Sequence, residues 1–411
     1  MCNQMNRDLA SGGRRPLRVM FANTSMPVGG AETLLVSLVR GMNRSGFQPE
    51  ICCLKEKGPL GDMLAREVPV HGRLLSMKYD PRVWRRLRRL VRERAIDAMV
   101  TVGAGDKMFW GRLAAWREGV PVILAALHST GWPDEIGFLN RRLTGLTDGF
   151  VAVADGHARH LIEQERFPAE KVHVIPNGVD VERFRPSAVK RHSVRRELGL
   201  RHDVPVVGIV AALREEKNHT LFVRAAKRIR DEVPNARFLI VGGGPCRRKI
   251  ETEVAAAGLE NRVLMLGPRD DVPDLLAAMD VFVLSSHMEA NPVSILEAMA
   301  SEIPVVAPRV GSIPETVQDD YTGYLVPPGA AHALAGQCVR LLTQHRLARR
   351  FGQRARRIVT QRWSVRHMVQ AYERLIAEIH RKKCGRPPGL QAVEPTVGAD
   401  SERIGDMEPV G

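Results

Sequence analysis

The 411-residue sequence predicts an α/β protein of two doubly wound parallel-sheet domains facing each other across a cleft. Three observations predict it. Short apolar runs of strand length alternate with helical segments along most of the chain. The rhythm breaks once, in the turn-rich, charged stretch PNGVDVERFRPSAVKRHSVRRELGL (176–200), and a second series then follows. A glycine-rich turn, SMPVGG (25–30), separates the first strand from the first helix. At this length two cores are expected rather than one.

Residues 1–15 are polar and read as a flexible N-terminus. PLRVMFAN (16–23) is an apolar run suited to a buried parallel strand, and AETLLVSLVRGMNRSG (31–46) is an amphipathic helix. IDAMVTVG (96–103), VPVILAALH (120–128), DGFVAVAD (148–155) and KVHVIPN (171–177) continue the strands of a domain placed at 16–185. PVVGIVAAL (205–213), ARFLIVGGG (236–244), NRVLMLG (261–267), DVFVLSS (280–286) and IPVVAP (303–308) are the strands of a second domain, 186–360. Both halves are Rossmann-like, and the cleft between them is the expected ligand site. Residues 330–380 are helical and basic, and 385–411, rich in Pro, Gly and acid, are expected to be disordered.

No apolar run reaches the ~18–20 residues that span a bilayer, and the N-terminus has no hydrophobic signal core. The six cysteines (Cys2, Cys52, Cys53, Cys246, Cys338, Cys384) form no Cys-x-x-Cys pair, as free thiols in a reducing compartment would be. A cytoplasmic protein is expected. Net charge is +15, from 61 Lys and Arg against 46 Asp and Glu. That calls for an acidic partner: nucleic acid, anionic lipid or a phosphorylated small molecule. Nucleic acid is disfavoured by 5 % aromatic content and the lack of any zinc-finger or RNP-like motif. Arginines crowd two segments, 82–94 and 346–366. PRVWRRLRRLVRERAID (81–97) reads as a helix with Val83, Leu87, Leu90 and Val91 on one stripe. Its arginines suit a solvated face of a packed helix, or contact with anionic headgroups.

Several constellations could carry chemistry. VGGGP (241–245) follows a strand, so its backbone can approach an anion, although glycine turns at strand ends are common. In VAALREEKNHTL (210–221), Arg214 and Lys217 could hold two phosphates, or form a solvated basic turn beside Glu215 and Glu216. HMEANPVSILEAMA (287–300) places Glu289 and Glu297 eight positions apart with Pro292 between. Asn291-Pro292 reads as N-cap and first helical residue. Glu289 then lies in the loop after a strand, and Glu297 on the second turn of the helix. Gly29 and Gly30 open the first helix, and His128 ends a strand at the carboxyl edge, where a lone histidine is more often structural.

In order, GGAE (29–32), IPNGVD (175–180), VGGGP (241–245), LGPRDDVPDLLAAMDVFVLSS (266–286), Glu289-x7-Glu297 and GYLVPPG (323–329) resemble the retaining GT-B glycosyltransferases of family 4, over about 17–380. The resemblance implies the GT-B fold, with a C-terminal helix, 361–384, returning to the first domain. It implies an acceptor domain first and a nucleotide-sugar donor domain second. Arg214 and Lys217 resemble the diphosphate-binding pair, Glu297 the ribose-binding carboxylate and Glu289 the carboxylate facing the donor sugar. Gly30, Gly244, Asn291, Pro292 and Val293 look like donor-approaching backbone, although Pro292 has no N–H. Arg269, with Pro268, resembles the base-side position, and His128 the histidine near the anomeric carbon. Ala211-Ala212-Leu213 stands where many members carry an arginine-containing triplet, Ala290 where glycine is usual, and Gly311-Ser312 where Gly-Gly is usual.

The implied reaction is metal-independent transfer from a UDP- or GDP-sugar to a lipid-linked or glycan acceptor, by front-face attack with retention. The chain has no Asp-x-Asp, and no cofactor is expected. The expected partners are the donor, the acceptor and an anionic membrane surface at the inner face of the plasma membrane. A GT-B nucleotide-sugar epimerase or hydrolase, and a basic nucleic-acid-binding protein, are the competing readings. Loops near 101–112 and 128–137 are the expected acceptor side.

Overall fold

Two parallel sheets carry the chain. A computed structural model describes residues 15–75, 80, 82–103, 106–127 and 141–385. His128 with the whole acceptor-side loop 128–137, the N-terminal residues 1–14 and the tail 386–411 lie outside the described residues.

The first sheet has seven strands, β1 Leu17–Asn23, β2 Phe47–Cys53, β3 Val70–His71, β4 Ala98–Val102, β5 Val122–Ala126, β6 Gly149–Ala152 and β7 Val172–Val174, in the order β3-β2-β1-β4-β5-β6-β7. The second has six, β8 Val206–Val210, β9 Arg237–Val241, β10 Val263–Gly267, β11 Val281–Val283, β12 Val305–Pro308 and β13 Gly323–Val326, in the order β10-β9-β8-β11-β12-β13. Every pairing is parallel. Most strands are Val, Ile and Leu runs because helices cover both faces. The strand order reverses between β1 and β4 and again between β8 and β11. Loops leaving the carboxyl ends diverge there and open a crevice. The loops after β8 and β11 therefore lie side by side.

β2, β3 and β13 are strands that the apolar pattern does not announce. β2 reads FQPEICC, with a proline and a carboxylate inside. Ile51 N–H turns to the β3 side, where it reaches Pro69 O at 2.9 Å. The missing N–H of Pro49 faces the same side, before β3 begins, so no ladder bond is lost. Glu50 is buried, and burial opposes its charge. Hydrogen bonds from His71 (2.9 Å) and Arg94 (2.9 and 2.8 Å) nevertheless hold its carboxyl below the usual range.

The basic helix spans Arg82–Glu93, shorter than 81–97, because Ala95 turns left-handed at φ 47. Val83, Leu87 and Val91 are buried against Met20, Met99 and Ile123, with Leu90 at the margin. Its arginines are mostly paired: Arg86 with Asp80 (3.1 Å), Arg88 with Glu118 (2.6 Å) and Arg89 with Glu93 (2.7 Å). This is a packed helix with a solvated basic face. Among the described residues no helix is long and apolar enough to cross a membrane.

After the helix His345–Arg362 the chain crosses back. Val179 N donates to Trp363 O (2.8 Å) and Val365 N to Val179 O (2.9 Å), stapling the crossing to the first domain's exit. The final helix, Val365–Cys384, then buries Met368, Val369, Tyr372 and Ile376 with Leu34, Leu35 and Leu38 of the helix Gly30–Gly41.

Candidate active site

The site is built on the second sheet's reversal point. After β8, residues 211–218 form a tight loop in which Arg214 precedes a 3-10 turn, Glu215–Lys217. Asn218 closes it in the left-handed region (φ 46) and accepts from Leu221 N (3.3 Å), capping the helix His219–Glu232. The glycine turn after β9 lies directly against this loop. Leu213 N donates to Gly243 O and Cys246 N to Leu213 O, each at 2.9 Å. Gly242 and Gly244 have φ of 141° and 156°, and a Cβ on them would lie 2.0 Å from Ala211 O and 2.4 Å from Leu213 O. Only glycine fits there. Pro268 packs on Gly243, whose added Cβ would meet the ring at 2.8 Å, so segment 268–269 does border the turn.

The loop after β11 brings Glu289 to the same place. Lys217 Nζ donates to Glu289 Oε1 at 2.6 Å, and Ser286 Oγ donates to the same oxygen at 2.6 Å. Glu289 is only 8 % exposed. Its Oε2 has no partner among the described residues and is free for a ligand. Ser285 Oγ donates to Lys217 O (2.9 Å) and His287 N to Glu216 O (2.9 Å), which locks the two loops together. From behind, Ser312 N donates to Glu289 O at 3.0 Å. Gly311 (φ 51) presses so closely that a Cβ would lie 1.9 Å from that oxygen. Ala290 is not among the described residues with positive φ, so the glycine usual there is not required by the backbone.

One local expectation is corrected. Asn291 is not the N-cap. The helix is Val293–Ala300, and Pro292, extended at ψ 113, is its N-cap. Asn291 O is instead drawn to Asn177 Nδ2 (2.8 Å), which turns the residue away from the helix start. Its Oδ1 is buried without a partner among the described residues. The N–H groups of Asn291 and Val293 likewise find no acceptor among them, so two donors stay open at a helix start.

Glu297, half-buried itself, sits on the second turn between buried neighbours, and its carboxylate has no hydrogen bond or ion pair among the described residues. Burial pushes its carboxyl up to about 8, opposed by the positive charge of Arg183. Arg214 is exposed and loosely held, its Nη1 3.9 Å from Glu216. Arg269 borders the turn, but its guanidinium is bound by Asp271 (2.6 Å) and Glu197 (3.0 Å), which raise its pKa. Gly30 begins the first domain's helix, with extended Gly29 as its N-cap. The structure thus joins Lys217 and Glu289 directly, and sets Arg214, Gly244, Asn291, Pro292, Val293 and Glu297 around them. Gly30 lies on the opposite domain. Among the described residues no three His, Cys, Asp or Glu side chains gather as a metal site. Ser285 and Asn177 act through partners distant in sequence and Ser286 through a carboxylate three residues on, and no motif assigned any of them a role. The Ser-Ser ending of the β11 run was the one available signal.

Two family models cover the two halves. Glycosyltransferase Family 4 matches residues 28–183, and Glycosyl transferases group 1 matches 190–358. A GDP-mannose-dependent alpha-(1-6)-phosphatidylinositol monomannoside mannosyltransferase of Mycobacterium tuberculosis is 30 % identical over 297 residues, 69 % of this chain and 76 % of the relative. The chain belongs to glycosyltransferase family 4. The transferase is also 29 % identical to the UDP-Gal:alpha-D-GlcNAc-diphosphoundecaprenol alpha-1,3-galactosyltransferase of Escherichia coli, over 68 % of this chain and 76 % of that one. Its fold matches Anabaena HepE, solved with UDP and glucose, at a TM-score of 0.78 and 22 % identity, covering 88 % of the transferase and all of HepE. The two-domain architecture is therefore GT-B, and the chain is a glycosyltransferase.

Proposed function

We propose that the transferase moves a hexose-type sugar from a UDP- or GDP-sugar to a hydroxyl of a lipid-linked or polysaccharide acceptor, with retention at the anomeric carbon and without a metal. The observation that carries this reading is the Lys217–Glu289 pair at the sheet's reversal point, 2.6 Å apart, with Glu289 Oε2 left open. As the sugar leaves, negative charge gathers on the diphosphate. Lys217 and the open N–H groups of Asn291 and Val293 answer that charge from fixed positions, where it counts most, and the exposed Arg214 swings onto the phosphates beside them. Glu289 faces the donor sugar, with Ser286 and Lys217 fixing its orientation, and Glu297 takes the ribose hydroxyls. The 242–244 turn and Pro268 border the nucleotide, while Arg269, held by its own carboxylates, shapes the wall. From the first domain, Gly30 approaches the donor and His128 stands near the anomeric carbon.

The relatives' names support the substrate classes. One is GDP-mannose-dependent and acts on a phosphatidylinositol mannoside, and the other uses UDP-Gal and a diphosphoundecaprenol acceptor. The absence of any Asp-x-Asp and the presence of two cations at the phosphates support metal independence. An acceptor held in a bilayer places the enzyme at the cytoplasmic membrane face, with the basic helix Arg82–Glu93 as a docking surface.

The test is a thermal-shift and turnover panel of UDP-, GDP-, ADP- and dTDP-sugars. One UDP- or GDP-sugar should stabilise the protein and be consumed, giving the donor's anomeric configuration in the product by NMR. Lys217→Ala, Arg214→Ala and Glu289→Gln should each lower kcat by roughly 10²–10³-fold. Near-normal rates in these variants would refute the site. Reversible loss of activity with EDTA would refute metal independence, and an inverted product would refute retention.

A further inference from the structure

A contact crosses the cleft that nucleotide binding does not require. The first domain's helix Asp155–Glu163 follows β6, and its opening N–H groups are held by one carboxylate of the second domain. Asp155 N donates to Glu315 Oε2 at 2.9 Å, and Gly156 N donates to Oε1 at 2.6 Å. The helix's own N-cap, Ala154, offers no side-chain cap, so Glu315 stands in for it from 160 positions away. A carboxylate at a helix N-terminus is also favoured by the helix dipole.

The other end of this segment reaches the site. Three residues before Glu315, Ser312 N donates to Glu289 O at 3.0 Å. Gly311 lies so close to that oxygen that no side chain fits. Residues 311–315 therefore act as a short bar, with one end gripping the opposite domain and the other the backbone of Glu289. Two residues past Glu289, the Asn177–Asn291 bond provides a second crossing at 2.8 Å.

We propose that Glu315 is a positioning residue for glycosyl transfer. By capping the helix Asp155–Glu163 it latches the two domains, and through Ser312 and Gly311 it sets where Glu289 stands relative to the acceptor domain. This rests on the reading that Glu289 faces the donor sugar. Cleft closure and the final placement of the carboxylate are then one event, and misplacement on the order of 1 Å costs about 10²-fold in rate.

Two variants break the latch differently. Glu315→Ala removes the carboxylate. Gly156→Ala keeps it but places a Cβ 2.8 Å from Oε1, while giving its own helix a better helix former. The measurements are small-angle scattering of the free protein, UDP and GDP affinity by calorimetry, and steady-state turnover of whichever nucleotide sugar the panel selects. In both variants the radius of gyration should rise and kcat should fall roughly 30–100-fold. The donor KM and nucleotide affinity should stay within about threefold, since all the proposed donor contacts except Gly30 lie in the second domain. Glu315→Gln, which keeps one of the two acceptors and sets its NH2 against the other N–H, should fall between Glu315→Ala and the wild type in kcat. Wild-type kcat in both variants would overturn the proposal, as would parallel loss of kcat and nucleotide affinity. If the wild type consumes no nucleotide sugar, the reading of Glu289 fails and scattering alone decides the latch. An Ala variant as compact as the wild type then overturns it, and an expanded one upholds it.

Discussion

Glu297 carries a pH signature that follows from its surroundings. Its carboxyl titrates near 8 in the folded protein because burial disfavours the charged form. In the unfolded chain a glutamate titrates near ~4.3. Between these values the folded state holds the extra proton, so stability falls as pH rises from about 5 to 8 and levels off above. Glu297→Gln should flatten that part of the melting profile. Ribose hydroxyls donate to a carboxylate, so UDP or GDP should bind more tightly as pH approaches 8, and the variant should lose this trend. A melting temperature of the wild type that is level across this range would contradict the assignment. The two glutamates were legible in the sequence because a proline between them forced one onto a loop and the other onto a helix. The Ser286 hydroxyl on Glu289 Oε1 was not legible, since a serine ending a strand run looks like any turn residue.

At the scale of elements, the segment around Gly311 bears on Glu289 from behind. Gly311 takes φ 51, and an added Cβ would lie 1.9 Å from Glu289 O. Gly311→Ala should therefore cost about 1–3 kcal/mol of stability from backbone strain and lower kcat roughly 10²-fold by moving the carboxylate. Calorimetric unfolding and turnover measure the two effects separately, and full activity in a stable variant would show the loop to be forgiving. Long apolar runs such as β1, β4 and β5 announced themselves because both faces are buried. β2 stayed hidden because Glu50 is charged and buried at once, a state that depends on Arg94 and His71 from elsewhere in the fold. β3, with two residues, is too short for any periodicity to register.

At the scale of the whole molecule, the sequence carries a net charge of +15, yet much of the basic helix is matched by carboxylates. Membrane attraction then depends on the exposed arginines held loosely or not at all by carboxylates among the described residues, chiefly Arg85 and Arg92. Co-sedimentation with vesicles should rise with anionic lipid content and fall with salt. Arg85→Glu with Arg92→Glu should weaken it at least about tenfold, at ~1 kcal/mol per charge near the surface. Equal binding to neutral vesicles would rule out an electrostatic dock. The two-domain plan was legible because the rhythm of strands broke once. How the domains hold each other was not, since the Asn177 and Glu315 contacts join residues more than a hundred positions apart. The closing helix Val365–Cys384 adds a consequence in time. Leu34, Leu35 and Leu38 are made more than three hundred positions before Met368, Tyr372 and Ile376, which cover them. Domains ordinarily mature on the ribosome in the order they are made. Here the half that emerges first is the last to be completed, and until then its unfinished face must be shielded from other nascent chains.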